Sequence, residues 1–128
     1  MGFRELCATG AACVAVLLPL PAAALTVTAE ECAEGADFIR NAAYSRDNGL
    51  RADAYLRRMD DDLAMIRAVP PALRWFVRDD DDEALLRQAA VSVFVAPRDP
   101  REHHREFLAT CRATVAEAAG GAPRIATR

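Results

Sequence analysis

The apolar positions of this chain fall into four runs with a helical period, punctuated by glycine and proline. Ala29, Cys32, Ala36, Ile39 and Ala43 are spaced by three or four residues, the repeat that lines one face of an α-helix. Thr28-Ala29-Glu30-Glu31 opens this run as a capping box, in which the threonine and glutamate side chains each satisfy the other's backbone N–H. Asp47-Asn48-Gly49 closes it, because glycine takes the left-handed conformation that ends helices. Most side chains of this stripe are small, so a neighbouring helix can come close. Ala52, Tyr55, Leu56, Met59, Leu63 and Ile66 mark a second helix, with Asp60, Asp61 and Asp62 pointing away and Pro70-Pro71 as the stop. Leu85, Leu86, Ala89, Ala90, Val93 and Phe94 mark a third, with Asp80 expected at the N-cap and Glu83 as its partner three residues on. Val91–Val95 read alone resembles a strand, but the helical period runs through it up to Pro97. Asp99-Pro100-Arg101-Glu102 starts a fourth helix with an N-cap aspartate and proline at its first position. Its stripe is His104, Phe107, Leu108, Cys111, Val115 and Ala118, and Gly120-Gly121 closes it.

These runs predict an all-α fold: a small up-down bundle of four helices at about 28–47, 51–69, 80–95 and 100–118, with a short helical connector at 71–77. Short connections make consecutive helices antiparallel, so the first and fourth lie side by side in opposite directions. Cys32 sits early in the first and Cys111 past the middle of the fourth, both on inward stripes. That places the two sulfurs within reach of each other.

The beginning of the chain changes where this pairing would form. Arg4 precedes an apolar stretch from Ala8 to Leu20, followed by Pro21 and the small residues Ala22-Ala23-Ala24. This is the pattern of a cleavable export signal, with the cut expected after Ala24. The stretch is short for a membrane span, which needs about 20 apolar residues. Neither Cys7 nor Cys13 stands where a lipoprotein signal carries its cysteine, and Arg4 alone makes no twin-arginine signal. The expected organisation is a signal peptide at 1–24, a helical domain at 25–121 and a flexible tail at 122–128. Removing the signal leaves Cys32 and Cys111 as an even pair, which in an exported protein is most often joined. The bridge would close a loop of roughly 80 residues, stabilising by about 4–5 kcal/mol in the chain-entropy model.

Composition narrows the partners. The formal charge is −3, and all 16 basic residues are arginine. A mildly acidic chain without a basic patch is a poor candidate for nucleic acid, and it lacks a polybasic helix for an anionic membrane. No stable membrane anchor is expected after signal cleavage.

Candidate chemistry is sparse. His103-His104, flanked by Glu102 and Glu106, is the one histidine pair. Adjacent side chains on a helix point about 100° apart, so the two imidazoles make weak metal candidates, and His104 falls on the apolar stripe. Asp79-Asp80-Asp81-Asp82-Glu83 offers hard oxygen ligands, but the positions that need glycine and glutamate in a calcium loop hold Ala84 and Ala90. The acids instead suit a helix N-terminus. Ser45 and Ser92 lack a nucleophile elbow, and Asp37 is not set against a second acid. No catalytic residue, metal site or cofactor is assigned, and the chain reads as a non-enzyme. Trp75-Phe76 is the candidate partner-binding pair, with core packing as the commoner fate of such large side chains.

Cys32 in a first helix, Arg46-Asp47-Asn48-Gly49 at its end, Val93-Phe94 and Pro97 before the last helix, and then Cys111 form a pattern. It resembles a group of small exported proteobacterial helical proteins. The resemblance implies a periplasmic helical protein with one disulfide, and it transfers no activity or site. The expected function is a non-enzymatic periplasmic or secreted interaction module of the inhibitor or immunity kind. The alternatives are an acid- or stress-related chaperone, which would open as its carboxylates protonate, and a metal-binding carrier.

Overall fold

A computed structural model describes residues 26–120. The expected signal peptide at 1–24, with Cys7 and Cys13, and the tail at 122–128 lie outside the described residues. The chain forms α1 (Ala29–Asp47), α2 (Ala52–Arg67), a 3-10 turn (Pro71–Leu73), α3 (Asp80–Val95) and α4 (Pro100–Ala119). This is the expected all-α bundle of four helices, and among the described residues there is no strand.

Local signals start and stop the helices. Thr28 caps α1 with the reciprocal capping box to Glu31. At its other end Gly49 has φ +92°, its N–H donates to the Arg46 carbonyl and that of Leu50 to the Ser45 carbonyl. This pair of bonds is a Schellman closure, which needs a residue without a Cβ penalty at that position. Asp99 caps α4 through the Arg101 N–H, with Pro100 at the first turn. Two expectations need correction. The N-cap of α3 is Asp79, not Asp80: its side chain accepts from the Asp82 N–H. Glu83 is drawn away from capping by Arg67 and Arg87, which both donate to it. α2 ends at Arg67 rather than 69, because Pro70 disfavours the helical conformation in the residue before it.

The ion pairs and contacts fix the directions. Cys32 meets Cys111 with Cα atoms 5.6 Å apart, and Arg46 near the end of α1 reaches Arg98 just before α4. α1 and α4 are therefore antiparallel. Glu31 meets Arg78 and Arg46 meets Val93, so α1 and α3 run parallel. Arg67 to Glu83 and Arg87 to Asp60 set α2 antiparallel to α3.

Side-chain size decides how closely the helices approach. The buried face of α1 is Cys32, Gly35, Ala36, Ile39, Ala42 and Ala43. Against this mostly small-residue face α4 packs most tightly, and α3 also comes in close across what would be the bundle diagonal. α2 stands further off, held by large rings: Phe38 and Tyr55 lie 6.3 Å apart between centroids, and Tyr55 and Phe94 5.4 Å. Burial pushes the Tyr55 phenol up to about 12, with the Asp62 charge adding to it.

Gly35 is the tightest point. A Cβ placed there would meet Phe107 Cε1 at 2.7 Å and Phe76 Cε2 at 3.1 Å. Phe76 is fully buried and Phe107 3 % exposed, and their centroids lie 5.7 Å apart. Two rings share the space a single methyl group would need. Gly35→Ala gains about 1 kcal/mol of helix propensity but forces overpacking that costs about 1–3 kcal/mol. Urea unfolding of Gly35→Ala should show a lower midpoint with unchanged slope; a midpoint at or above wild type contradicts this packing.

Candidate functional site

The segment between α2 and α3 is where the chain departs most from regular structure. The sequence suggests a helical connector over 71–77, but only Pro71–Leu73 is helical, as a 3-10 turn. Phe76 has φ +56°, the one non-glycine residue with a left-handed backbone among the described residues. The Val77 N–H donates to the Trp75 carbonyl at 2.5 Å, closing a γ-turn around Phe76. Such a conformation costs about 1–3 kcal/mol and persists only where surroundings impose it.

Glu31 imposes it. Its Oε1 accepts from the Phe76 N–H at 3.1 Å and from Arg78 Nη2 at 2.7 Å. Its Oε2 accepts from the Thr28 N–H at 2.9 Å and Arg78 Nη1 at 2.7 Å. One carboxylate thus caps α1, anchors the turn and pairs Arg78 in the two-pronged geometry that arginine favours. The pair is largely shielded, with side chains 13 % and 12 % exposed. Burial pushes the Glu31 carboxyl up, but Arg78 and the two N–H groups prevail and hold it below its usual value. Asp82 next to it goes the other way: burial raises it, although the Arg78 N–H donates to its Oδ2 at 3.1 Å.

This anchored turn decides the fate of the aromatic pair. Phe76 enters the core over Gly35, so none of its surface is presented to a partner. Trp75 is half-buried, lies 6.1 Å from Phe38 between ring centroids, and donates from Nε1 to Glu34 Oε2 at 2.6 Å. Beside it the chain is exposed and apolar: Met65 is 65 %, Val69 38 % and Leu73 76 % exposed. All three fall within residues 65–73, at the end of the bundle that α2 and its connector form.

The opposite end carries the histidines. The sequence puts His104 on the apolar stripe as a partly buried residue; it is partly buried, but His103 is the one that turns fully inward, at 3 % exposure. The inward line of α4 is His103, Phe107 and Cys111, at i, i+4 and i+8. The Arg98 N–H donates to His103 Nε2 at 3.2 Å, and Arg46 Nη1 lies 3.5 Å from the same atom. A backbone N–H can only donate, so Nε2 is an acceptor and the ring is neutral with its proton on Nδ1. Arg46 also donates to the Val93 carbonyl at 2.8 Å and the Arg98 carbonyl at 2.9 Å, tying the α3–α4 loop to α1. His104 instead meets Asp37 Oδ1 at 3.1 Å. The two imidazoles have separate partners and do not converge, and no cluster of metal-ligating side chains occurs among the described residues.

A groove of about 220 Å³ opens between α3 and α4, lined by Leu85, Ala89, Ser92, His103, Glu106 and Phe107. Ser92 and His103 share it, but His103 Nε2 is committed to Arg98. Within the acidic run, Asp79 serves as the cap of α3, Asp82 accepts from the Arg78 N–H and Glu83 pairs with Arg67 and Arg87. Sequence reasoning noticed Glu31 only as a cap and missed its pairing with Arg78, the Arg46–His103–Arg98 cluster and the role of Gly35. Arg78 carries no local signal, because its partner lies 47 residues away. The chain matches no protein-family model, no curated protein and no solved structure.

Burial, and then Arg98 and Arg46, hold His103 below its ordinary 6.5. The unfolded chain therefore takes up the proton first, and stability falls as pH drops below 6.5 towards the lowered folded value. His103→Gln keeps a hydrogen-bonding side chain without titrating. Urea midpoints measured between pH 7.5 and 5 should fall for wild type and stay flatter for His103→Gln. Parallel curves for the two proteins would remove His103 from this response.

Proposed function

We propose that this chain is an exported, non-enzymatic protein-interaction module, of the periplasmic or secreted kind, that docks through its α2–connector end. The observation that carries this reading is the run of exposed apolar side chains Met65, Val69 and Leu73 beside half-buried Trp75. Three large apolar side chains exposed within residues 65–73 suit a surface that a partner covers. The backbone beneath it is held by Glu31 and by Arg74, which donates to the Val69 and Arg67 carbonyls. A surface held in place before binding loses less freedom when a partner docks. The buried Cys32–Cys111 bridge suits an oxidising compartment, in keeping with an export signal at 1–24.

Pull-down from periplasmic extract tests this. Met65→Asp with Leu73→Asp should lose the captured partner, Trp75→Ala should weaken capture, and Val95→Asp, equally exposed at the other end, should retain it. Equal capture by all four proteins would end the reading.

A second reading, an acid-responsive chaperone, is favoured by Glu31. A carboxyl held below its usual 4.5 stabilises the fold above that value, and this is lost as pH falls through the lowered folded value. Protonation would release the Phe76 turn, Arg78 and the α1 cap together. Asp82 opposes this loss: its raised carboxyl contributes stability fully below 3.8, and that contribution fades as pH rises through its folded value. Hydrophobic-dye fluorescence should rise near pH 2 while helical dichroism persists. Unchanged fluorescence would leave the chaperone reading without support.

A further inference from the structure

The basic residues are unevenly engaged. Arg46, Arg67, Arg78 and Arg87 each hold a carboxylate or a carbonyl, and Arg98 pairs with Glu106. Arg101, Arg105 and Arg112 hold none among the described residues, and all three are exposed on α4. At about 100° per residue they fall within about 40° of one another, with spacings of about 6 Å and 10 Å along the axis. They form one ridge on the outside of the helix. Half-buried Leu108 and exposed Ala109 lie between Arg105 and Arg112 in sequence. Exposed Glu102 lies beside Arg101 and three residues before Arg105 and offsets one of the three charges, which leaves a net excess of positive charge along the ridge. On α4, Glu106 is taken by Arg98. On α1, Asp37 is taken by Arg40 at 2.9 Å and by His104 at 3.1 Å.

We infer that this ridge of α4 is a docking surface for an acid-rich protein segment. This rests on the interaction-module reading and adds a second contact to it, with the chemistry of the partner. Charge complementarity selects the occupant. A guanidinium offers a planar fork of donors that fits a carboxylate, and three in a row match acids repeated along one helix or strand. An anionic bilayer or nucleic acid presents a broad field instead, and the rest of this molecule repels it. The formal charge is −3, and Asp60, Asp61 and Asp62 with Asp79, Asp80 and Asp81 are exposed on α2 and at the start of α3. The ridge is also narrow and carries no large ring to insert into lipid.

Fluorescence anisotropy with a labelled oligo-glutamate peptide tests the inference, using the disulfide-bonded protein as purified from cells. Wild type should bind at low salt and weaken as salt rises, as screened charge pairs do. The triple variant Arg101→Gln, Arg105→Gln, Arg112→Gln should lose about tenfold, the effect of three exposed pairs at about 0.5 kcal/mol each. A control with the same charge change on α2 and its N-cap, Arg51→Gln, Arg57→Gln, Arg58→Gln, should bind as wild type does. Circular dichroism confirms that both variants remain folded. No binding by wild type, or equal losses in both variants, overturns the inference. So does binding to phosphatidylglycerol vesicles without binding to the peptide, which would make the surface a membrane contact. Salt-sensitive self-association that only the ridge variant loses overturns it as well, the occupant then being a second copy. If the ridge variant binds normally while Leu73→Asp still loses its partner, only the ridge fails. If neither variant changes capture, the module reading fails with it.

Discussion

Everything in this bundle depends on how close α4 can come to α1. The contact is set by what α1 lacks, since Gly35, Ala36, Ala42 and Ala43 contribute little side-chain volume and are all buried. Into that space go the rings of Phe76 and Phe107 and the paired sulfurs. Dispersion grows with the number of atoms in contact, so small residues here leave room for larger ones from both neighbours. The arrangement puts α1 at the centre and lets α3 close on it as well. α2, packed through Phe38, Tyr55 and Phe94, is the outlying helix and brings the exposed apolar edge with it.

The two ends of the bundle are held by different chemistry. At one end a carboxylate collects four donors around a turned phenylalanine backbone. At the other a guanidinium and a backbone N–H surround a neutral imidazole. Both are local clamps on segments without regular structure, where backbone groups lack helical partners and would otherwise need water. Both also place ionisable groups at junctions of helix and loop. The packed middle between them, with Cys32, Ala36, Ala90 and Val93, is apolar and sealed from solvent.

Much of the fold was legible in the sequence. Period and punctuation located each helix to within about two residues, since capping boxes, proline stops and Gly49 act over a few positions of chain. The pairing of Cys32 with Cys111 followed both from their being the even pair left after the expected signal and from the antiparallel order of the first and fourth helices. The finer errors share one cause. Whether Asp79 or Asp80 caps α3, and whether His103 or His104 turns inward, is decided by partners from elsewhere in the fold: Arg67, Arg87, Arg46 and Arg98. The stripe of α4 was broad enough to include His104, and only contact with α1 and α3 fixes its rotation. Phe76 was the least readable position, because a left-handed backbone at a bulky residue is imposed from 45 residues away by Glu31. The free arginines of α4 escaped notice for a related reason. A sequence shows which charges exist, and a structure shows which of them are already taken.

The disulfide joins residues 79 positions apart, so nearly the whole described domain lies inside one covalent ring. All three interhelical loops belong to that ring. A protease that cut one of them, for instance beside Gly49, would open the circle without releasing either piece. The nicked molecule would gain only the mass of one water and run as a single species until a reductant separated the halves. In a compartment rich in proteases, damage to such a loop would be survivable in a way that a linear four-helix chain does not allow.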